Sequence, residues 1–211
     1  MPDHKVESFR SKAARTGRVL LVGPLGPAAP WERFTTHEWA RLGVDGGALQ
    51  APPDGFDLTV GDGDSGQAPL DVRWPIHKDA TDLELTLGLL PAGVATTLWG
   101  FWGGRMDHQM AVWGALHARC ALDGMAFDVE GPQGDHLTVR PSGEHAFSAA
   151  GLFSLWSLVP ARFTIRGACR YLLEAPTLCA PLSGHTLSNH AHGAFSVGSD
   201  APFFLYRQAR P

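Results

Sequence analysis

Aspartates stand directly after several apolar runs of this sequence. Asp45 follows one such run, Asp62 and Asp64 follow the next, and Asp82 opens a predicted helix. Carboxylates that gather at one place repel each other unless a cation neutralises them. Hard oxygen ligands favour Mg²⁺ or Ca²⁺ over zinc, and Mg²⁺ in turn binds phosphate oxygens. We therefore expect these four aspartates to form one acidic cluster that holds Mg²⁺.

Basic residues and glycines accompany the acids. Lys78 lies four residues before Asp82, and Arg105 directly follows Gly103 and Gly104. Arginine offers a planar fork for phosphate oxygens, lysine offers a point charge, and a helix that starts just behind the glycines favours an anion. The combination predicts a phosphate-transfer site. The Walker sequence and the G-x-G-x-x-G sequence are both absent, which argues against a P-loop enzyme or a standard dinucleotide binder.

Predicted strands and predicted helices, which must position these residues, alternate in the first part of the chain. Apolar runs at 18–24, 56–60, 94–101 and 125–130 predict buried strands, and 31–43, 81–90 and 106–120 predict helices. Thr81 and Glu84 have the spacing of a capping box. After residue 131 the sequence consists of short apolar runs separated by turn residues, which is typical of an all-β domain. We expect an N-terminal extension at 1–17, an α/β domain with a mainly parallel sheet at 18–131, and a small β-sandwich at 132–211.

Composition limits the function further. The chain has 211 residues and a formal net charge of −4, so it lacks the basic excess of a nucleic-acid binder. Its three cysteines form no close pair, and its first 18 residues do not read as a signal peptide. Without an apolar stretch of membrane-spanning length, the sequence predicts a cytoplasmic protein that needs neither membrane nor nucleic acid. The loose spacing of the histidines at 185, 190 and 192 argues against a metal site there.

The order and spacing of four motifs resemble thiamine pyrophosphokinase. They are D-G-G-A at 45–48, G-D-x-D-S at 61–65, K-D-x-T-D-x-E at 78–84 and G-G-R-x-D-H at 103–108. The segments GLFSL at 151–155, GACRYLL at 167–173 and LSNH at 187–190 are also similar. The resemblance implies an α/β domain followed by a β-sandwich, in a homodimer with active sites at the subunit interface. It also implies transfer of the pyrophosphoryl group of ATP to thiamine, with Mg²⁺ as cofactor.

The resemblance further implies roles for individual residues. The metal ligands would be Asp45, Asp62, Asp64 and Asp82. The residues that bind ATP and its phosphates would be Asp45, Gly46, Gly47, Ser65, Lys78, Thr81, Gly103, Gly104 and Arg105. The catalytic residues would be Asp62, Asp64, Asp82, Arg105 and Asp107, with either Asp107 or a cluster aspartate taking the proton of the acceptor. Ser188 and Asn189 would bind thiamine from the partner chain.

Two alternatives stay open at this stage. His190 stands where the family has a carboxylate, and Val112 stands where it has an asparagine. The same chemistry could therefore serve another acceptor, such as a hydroxymethyl pterin. A sensor that binds nucleotide or thiamine without catalysis is the second alternative. The complete set of aspartates argues against a sensor, since binding alone does not need all of them.

Overall fold

A computed structural model describes residues 2–64, 68–131 and 133–208. The chain divides into two compact units. The first comprises residues 1–115 and 129–132, and the second comprises residues 116–128 and 133–211. Within the described residues, no helix has both the length and the apolar character needed to cross a membrane.

The first unit contains five strands that pair in parallel. In chain order they are β1 (Arg18–Val22), β2 (Ala40–Val44), β3 (Leu58–Gly61), β4 (Val72–Arg73) and β5 (Ala95–Trp99). Their order in the sheet is β5-β1-β2-β3-β4. The chain also forms helices α1 (Pro2–Thr16), α2 (Asp82–Leu89) and α3 (Met106–Asp123), and the second half of α3 belongs to the second unit.

The predicted helix over 31–43 is wrong. Only Trp31–Arg33 forms a short 3₁₀ turn, and Ala40–Val44 is strand β2. All five residues of β2 are buried, and the strand lies between β1 and β3. Hydrogen bonds on both edges and full burial outweigh the weak helical spacing of this segment, because local propensity is easily overridden by tertiary structure.

Residues 1–17, predicted to be an N-terminal extension, contain helix α1. Phe9 and Ala13 are almost fully buried, and their spacing of four places them on one face of the helix. On the same helix, the Lys12 ammonium lies 2.7 Å from an Asp57 carboxylate oxygen. Asp57 also accepts a hydrogen bond from the backbone N–H of Arg41 at 2.8 Å. Helix α1 is therefore packed onto the first unit by burial and by a partly buried ion pair.

The predicted capping box of the second helix is confirmed. The Thr81 hydroxyl accepts a hydrogen bond from the backbone N–H of Glu84, and the Glu84 carboxylate accepts one from the backbone N–H of Thr81. These bonds satisfy backbone donors that the first turn of a helix leaves without intrahelical partners. Helix α2 consequently begins at Asp82, which fixes where this acidic side chain leaves the backbone.

The second unit is antiparallel. Its strands are β7 (His136–Arg140), β8 (Gly143–Trp156), β9 (Ala161–Cys169), β10 (Leu173–Cys179), β11 (Asn189–Ser199) and β12 (Phe203–Arg207), in the order β10-β9-β11-β8-β12-β7. Strand β6 (Phe127–Glu130) carries residues of both units. A core of aromatic and aliphatic residues fills this unit, with Phe153 and Phe195 stacked at a centroid distance of 4.6 Å.

The observed sheets agree with the expectations only in part. The twelve strands that the structure describes have mixed parallel and antiparallel pairing, so a mainly parallel sheet describes only the first unit. The strands of the second unit follow one hydrogen-bonded order, and a sandwich of two separate sheets is not confirmed. Strand β8 pairs with β11 over its length and with β12 near its end, and β9 changes register against β10 and β11. Long strands with such irregularities can bend around their own core without a second sheet.

Gly47 holds the 3₁₀ segment Asp45–Gln50 close to the end of β1. Gly47 is buried, and a Cβ atom on it would overlap the backbone carbonyl of Val22. Backbone cannot yield as a flexible side chain can, so this close approach requires glycine. The position of Asp45, at the start of the same segment, depends on this packing.

We expect Gly47→Ala to lower the free energy of unfolding by about 3 kcal/mol, within the range for overpacked sites. Urea unfolding followed by circular dichroism measures the change. Gly88→Ala is the matched control, because Gly88 lies in α2 with open space around it. The control should be neutral or stabilise the protein by up to about 1 kcal/mol through helix propensity. Equal effects of the two substitutions would contradict this account.

Candidate functional site

Three aspartates meet at the carboxyl ends of neighbouring parallel strands. Asp45 follows β2, and Asp62 and Asp64 follow β3. One carboxylate oxygen from each of the three lies within 4.8 Å of the others. Asp62 is buried, Asp45 is half-buried and Asp64 is exposed, so the group opens to solvent on one side. This set of hard oxygen donors fits Mg²⁺, which takes a few carboxylates and completes its shell with water and phosphate oxygens.

Local backbone geometry brings the two strand ends together. Asp45 has a φ of 49°, a left-handed conformation that aspartate tolerates better than most residues. Gly61, the last residue of β3, lies so close to Asp45 that a Cβ on it would be 2.9 Å from the Asp45 Cα atom. After Gly61, the carboxylate of Asp62 accepts a hydrogen bond from the backbone N–H of Asp64 at 3.1 Å. The loop therefore turns back on itself and presents both of its acids.

Lys78 connects the fourth aspartate to this group. Its ammonium donates a hydrogen bond to Asp62 Oδ2 at 2.5 Å and lies 3.2 Å from Asp82 Oδ1. The second contact is close enough for an ion pair but is not aligned as a hydrogen bond. The side chains are only 13%, 8% and 17% exposed for Lys78, Asp62 and Asp82. Lys78 was predicted to bind phosphate, and in this structure it neutralises two acids.

This arrangement shifts the pKa values of the three groups in different directions. The Lys78 hydrogen bond holds the pKa of Asp62 below its usual range, although burial acts against it. Burial raises the pKa of Asp82, and the charges of Asp62 and Asp45 act in the same direction against Lys78. Burial alone would lower the pKa of Lys78, but Asp62 and Asp82 outweigh it and raise this pKa. The site thus keeps a partly buried cation beside an acidic cluster.

The glycine-rich loop after β5 carries the other basic group. Gly103 and Gly104 have φ values of 105° and 74°, which side chains rarely allow. Arg105 forms a two-pronged ion pair with Asp107, with Nη2 to Oδ2 at 2.6 Å and Nε to Oδ1 at 3.1 Å. This pair raises the pKa of Arg105 and lowers that of Asp107. Both side chains are exposed, at 72% and 61%.

Sequence reasoning missed the role of Gln109 in this loop. Its side-chain carbonyl accepts a hydrogen bond from the backbone N–H of Gly103, and its amide donates one to the backbone carbonyl of Phe101 at 3.2 Å. Gln109 thereby holds the two ends of the loop from the first turn of α3. A glutamine three positions inside a helix behind two glycines is a signal that could have identified it.

Strand order sets the distance between the basic loop and the acids. Strands β5 and β1 end at paired residues, Trp99 and Val22, and β2 extends one residue beyond Gly43, the partner of Val22. Strand β5 is three strands away from β3, which corresponds to about 14 Å at the usual strand spacing. A ligand that lies along this edge of the sheet would run from Asp62 towards the loop that carries Arg105.

A shallow pocket lies beside Lys78. It has a volume of about 370 Å³ and is lined by Ile76, Lys78, Asp79, Ala80, Thr81 and Glu84. Thr81 was predicted to contact phosphate. Its hydroxyl already bonds to Glu84 within the capping box, with Oγ1 to Oε2 at 2.8 Å. Gly46 lies beside Gly47 in the 3₁₀ segment after β2, and Ser65 lies outside the described residues.

The two residues predicted to bind thiamine lie in the second unit. Ser188 is exposed, has a φ of 57°, and donates its backbone N–H to the Ser154 hydroxyl at 3.0 Å. Asn189 is only 3% exposed. Its amide donates to the Tyr171 carbonyl at 2.7 Å, and its carbonyl accepts from the backbone N–H groups of Tyr171 and His190 at 3.0 and 2.8 Å. Asn189 thus joins the start of β11 to the turn before β10.

Lys78→Met should lower the free energy of unfolding at pH 7 by about 2 kcal/mol, because it leaves Asp62 and Asp82 partly buried without their cation. The folded-state pKa of Asp62 is depressed, so the contribution of the pair is present above the usual aspartate pKa and is lost as the pH falls through the lower value. Urea unfolding at pH 7 and near pH 3 measures this difference. The control is Lys5→Met, which removes an exposed ion pair with Asp71. A Lys78→Met effect that grows towards acid pH would contradict the assignment.

Asn189→Ala should lower the free energy of unfolding by about 2 kcal/mol, because partly buried backbone groups of Tyr171 and His190 lose their hydrogen-bond partner. Thermal and urea unfolding report the change. Ser188→Gly serves as the control and should be neutral or slightly stabilising, since its left-handed backbone suits glycine. Stability of Asn189→Ala equal to that of the wild type would show that the side chain is not a structural link.

Comparison with known proteins identifies the fold. No family model matches the sequence, and no curated protein matches it. Among solved structures, thiamine pyrophosphokinase from Bacillus subtilis is similar, with a TM-score of 0.74 and 20% identity over 92% of this chain and 100% of that one. The thiamin pyrophosphokinase from Geobacillus thermodenitrificans has a TM-score of 0.71 at 24% identity, covering 92% and 98%. The enzyme from Candida albicans has a TM-score of 0.72 at 12% identity, covering 92% and 90%. The chain therefore has the fold of the thiamine pyrophosphokinases.

Proposed function

We propose that this protein is a thiamine pyrophosphokinase, which transfers the pyrophosphoryl group of ATP to the hydroxyl of thiamine and releases AMP. The observation that carries the proposal is the meeting of Asp45, Asp62 and Asp64 at one edge of a parallel sheet. In open α/β sheets, ligands bind beyond the carboxyl ends of the strands. The shared fold and the four sequence motifs support the same assignment.

The acidic cluster suits the donor side of this reaction. Asp45, Asp62 and Asp64 would hold Mg²⁺, with Asp82 beside them. When bound, Mg²⁺ neutralises the charge on the phosphate oxygens of ATP and orients them. Lys78 lies between the cluster and the shallow pocket, where its ammonium can also meet a phosphate oxygen. Arg105, in the loop after β5, supplies a second cation. A triphosphate bound at the acidic cluster would extend towards this loop.

The transfer forms a bond between the thiamine oxygen and the β-phosphorus and breaks the bond from that phosphorus to the oxygen of AMP. Negative charge spreads over phosphate oxygens during this step, so positioning and electrostatics supply most of the rate. The hydroxyl proton must pass to a base or to water. Arg105 lowers the pKa of Asp107, which makes Asp107 a weak base, whereas burial raises the pKa of Asp82. By resemblance, either Asp107 or one of the cluster aspartates would accept this proton.

The acceptor side of the proposal involves the second unit. By resemblance, we expect a homodimer in which the segment that carries Ser188 and Asn189 lies beside the thiamine of the partner chain. Through its hydrogen bonds, the Asn189 side chain stabilises the backbone that carries Ser188 and His190. Ser188 and His190 are exposed and can reach a ligand.

The test is an assay of AMP and thiamine diphosphate with ATP, Mg²⁺ and thiamine, and with thiamine omitted. We expect both products together from the wild type. Asp64→Asn should lower turnover by about 100-fold or more, because it removes a negatively charged ligand from the proposed metal site. Asp3→Asn removes an equal charge from α1 and should leave turnover unchanged.

Near-normal turnover by Asp64→Asn would contradict its role in the cluster. If the wild type does not convert thiamine but converts a hydroxymethyl pterin, the proposed acceptor is wrong and the proposed pyrophosphoryl transfer is retained. If neither alcohol is converted while nucleotide still binds, the protein is a sensor on this fold.

A further inference from the structure

Arg73 lies against the acidic loop in a space that exists only because residue 63 is glycine. Strand β4 pairs with β3 so that Arg73 is opposite Gly61, one residue before Asp62. The Arg73 guanidinium covers Gly63, where a Cβ atom would overlap Nη1 and Cζ and lie 3.0 Å from Nη2. Gly63 also has a φ of 80°, which favours glycine. The guanidinium thus lies directly over the residue that separates Asp62 from Asp64.

Among the described residues, the Arg73 guanidinium is not paired with a carboxylate. Its Nη1 donates to the backbone carbonyl of Asp62 at 3.3 Å, and in the part of the chain that the structure describes it forms no ion pair with a carboxylate. Asp62 pairs with Lys78 instead. A guanidinium has five N–H donors, so most of those on Arg73 remain available to a ligand. The side chain is also exposed.

We propose that Arg73 is a phosphate-contacting residue of this site, which binds the oxygens of the metal-bound nucleotide. The inference rests on the proposed function, because it requires a nucleoside triphosphate at the acidic cluster. An arginine fork matches the geometry of phosphate oxygens, and this one is held in place by the Asp62 carbonyl and by Gly63. Its site on edge strand β4 places a cation on the side of the cluster away from the loop that carries Arg105.

A contact with phosphate and a purely structural role predict opposite changes in metal affinity. If Arg73 only holds the loop, its removal loosens Asp62 and Asp64 and weakens binding of a free cation. If Arg73 binds phosphate, it repels a cation that binds alone and attracts the negatively charged complex of metal and nucleotide. Its removal then leaves free-metal affinity unchanged or higher and weakens binding of the complex.

The experiment measures two affinities by titration calorimetry: Mn²⁺ alone, and ATP at saturating Mg²⁺ without thiamine. Arg73→Ala should weaken ATP binding by about tenfold or more, the loss expected for a charge-assisted hydrogen bond. Mn²⁺ binding should be unchanged or tighter. Arg73→Lys keeps the charge and should recover part of the ATP affinity. Arg15→Ala removes an exposed arginine of α1 and should change neither affinity.

Gly63→Ala tests the same contact from the other side. The added methyl group displaces the guanidinium, so this variant should also weaken ATP binding. Because both substitutions remove one contact, Gly63→Ala combined with Arg73→Ala should weaken ATP binding no more than the stronger single change. Circular dichroism and thermal unfolding of each variant establish that it is folded.

Three results would overturn the inference. Equal weakening of Mn²⁺ and ATP binding by Arg73→Ala would show a structural role. Unchanged ATP affinity would show no role, and additive effects of the two substitutions would show that they act separately. A wild type that binds Mn²⁺ but no ATP would instead refute the proposed function itself, which separates the two failures.

Discussion

Repulsion among carboxylates is the constraint on which this site depends. Folding brings Asp45, Asp62 and Asp64 within 4.8 Å of one another, with Asp82 close by through Lys78. Like charges at this separation disfavour the folded state unless a cation offsets them. Lys78 offsets part of the charge from within the protein, and in the proposed function a metal ion at the open side of the cluster would offset the rest. The same excess of negative charge that costs stability makes the site able to bind a cation.

Parallel pairing brings these residues to one edge of the sheet. Neighbouring strands end at one edge, so residues far apart in sequence become neighbours there. Close backbone contacts at Gly47 and Gly61 fix the positions of the strand ends, and Gln109 fixes the loop before Arg105. The cations on this edge, Arg73, Lys78 and Arg105, follow or flank different strands. Under the proposed function, such a set of cations around the acidic cluster would suit a polyphosphate better than a single phosphate.

The sequence predicted local features of the chain better than those that depend on long-range pairing. The buried strand at Arg18–Val22 and the capping box of α2 followed from local pattern and were correct, because each depends on residues adjacent in sequence. Strand β2 was mistaken for a helix because its burial comes from neighbouring strands that local spacing does not reveal. The ion pair of Lys78 and the contact of Arg73 with Gly63 depend on side-chain positions that no spacing rule supplies. The single strand order of the second unit likewise depends on long-range pairing.

The most direct test of the account is a crystal structure of the protein grown with Mn²⁺ and ATP, examined by anomalous scattering at the manganese edge. The account predicts a metal peak within coordination distance of the Asp45, Asp62 and Asp64 carboxylates, with the triphosphate running from it along the strand ends towards Arg105. Nucleotide bound elsewhere, or an ordered triphosphate with no metal peak between these aspartates, would contradict it.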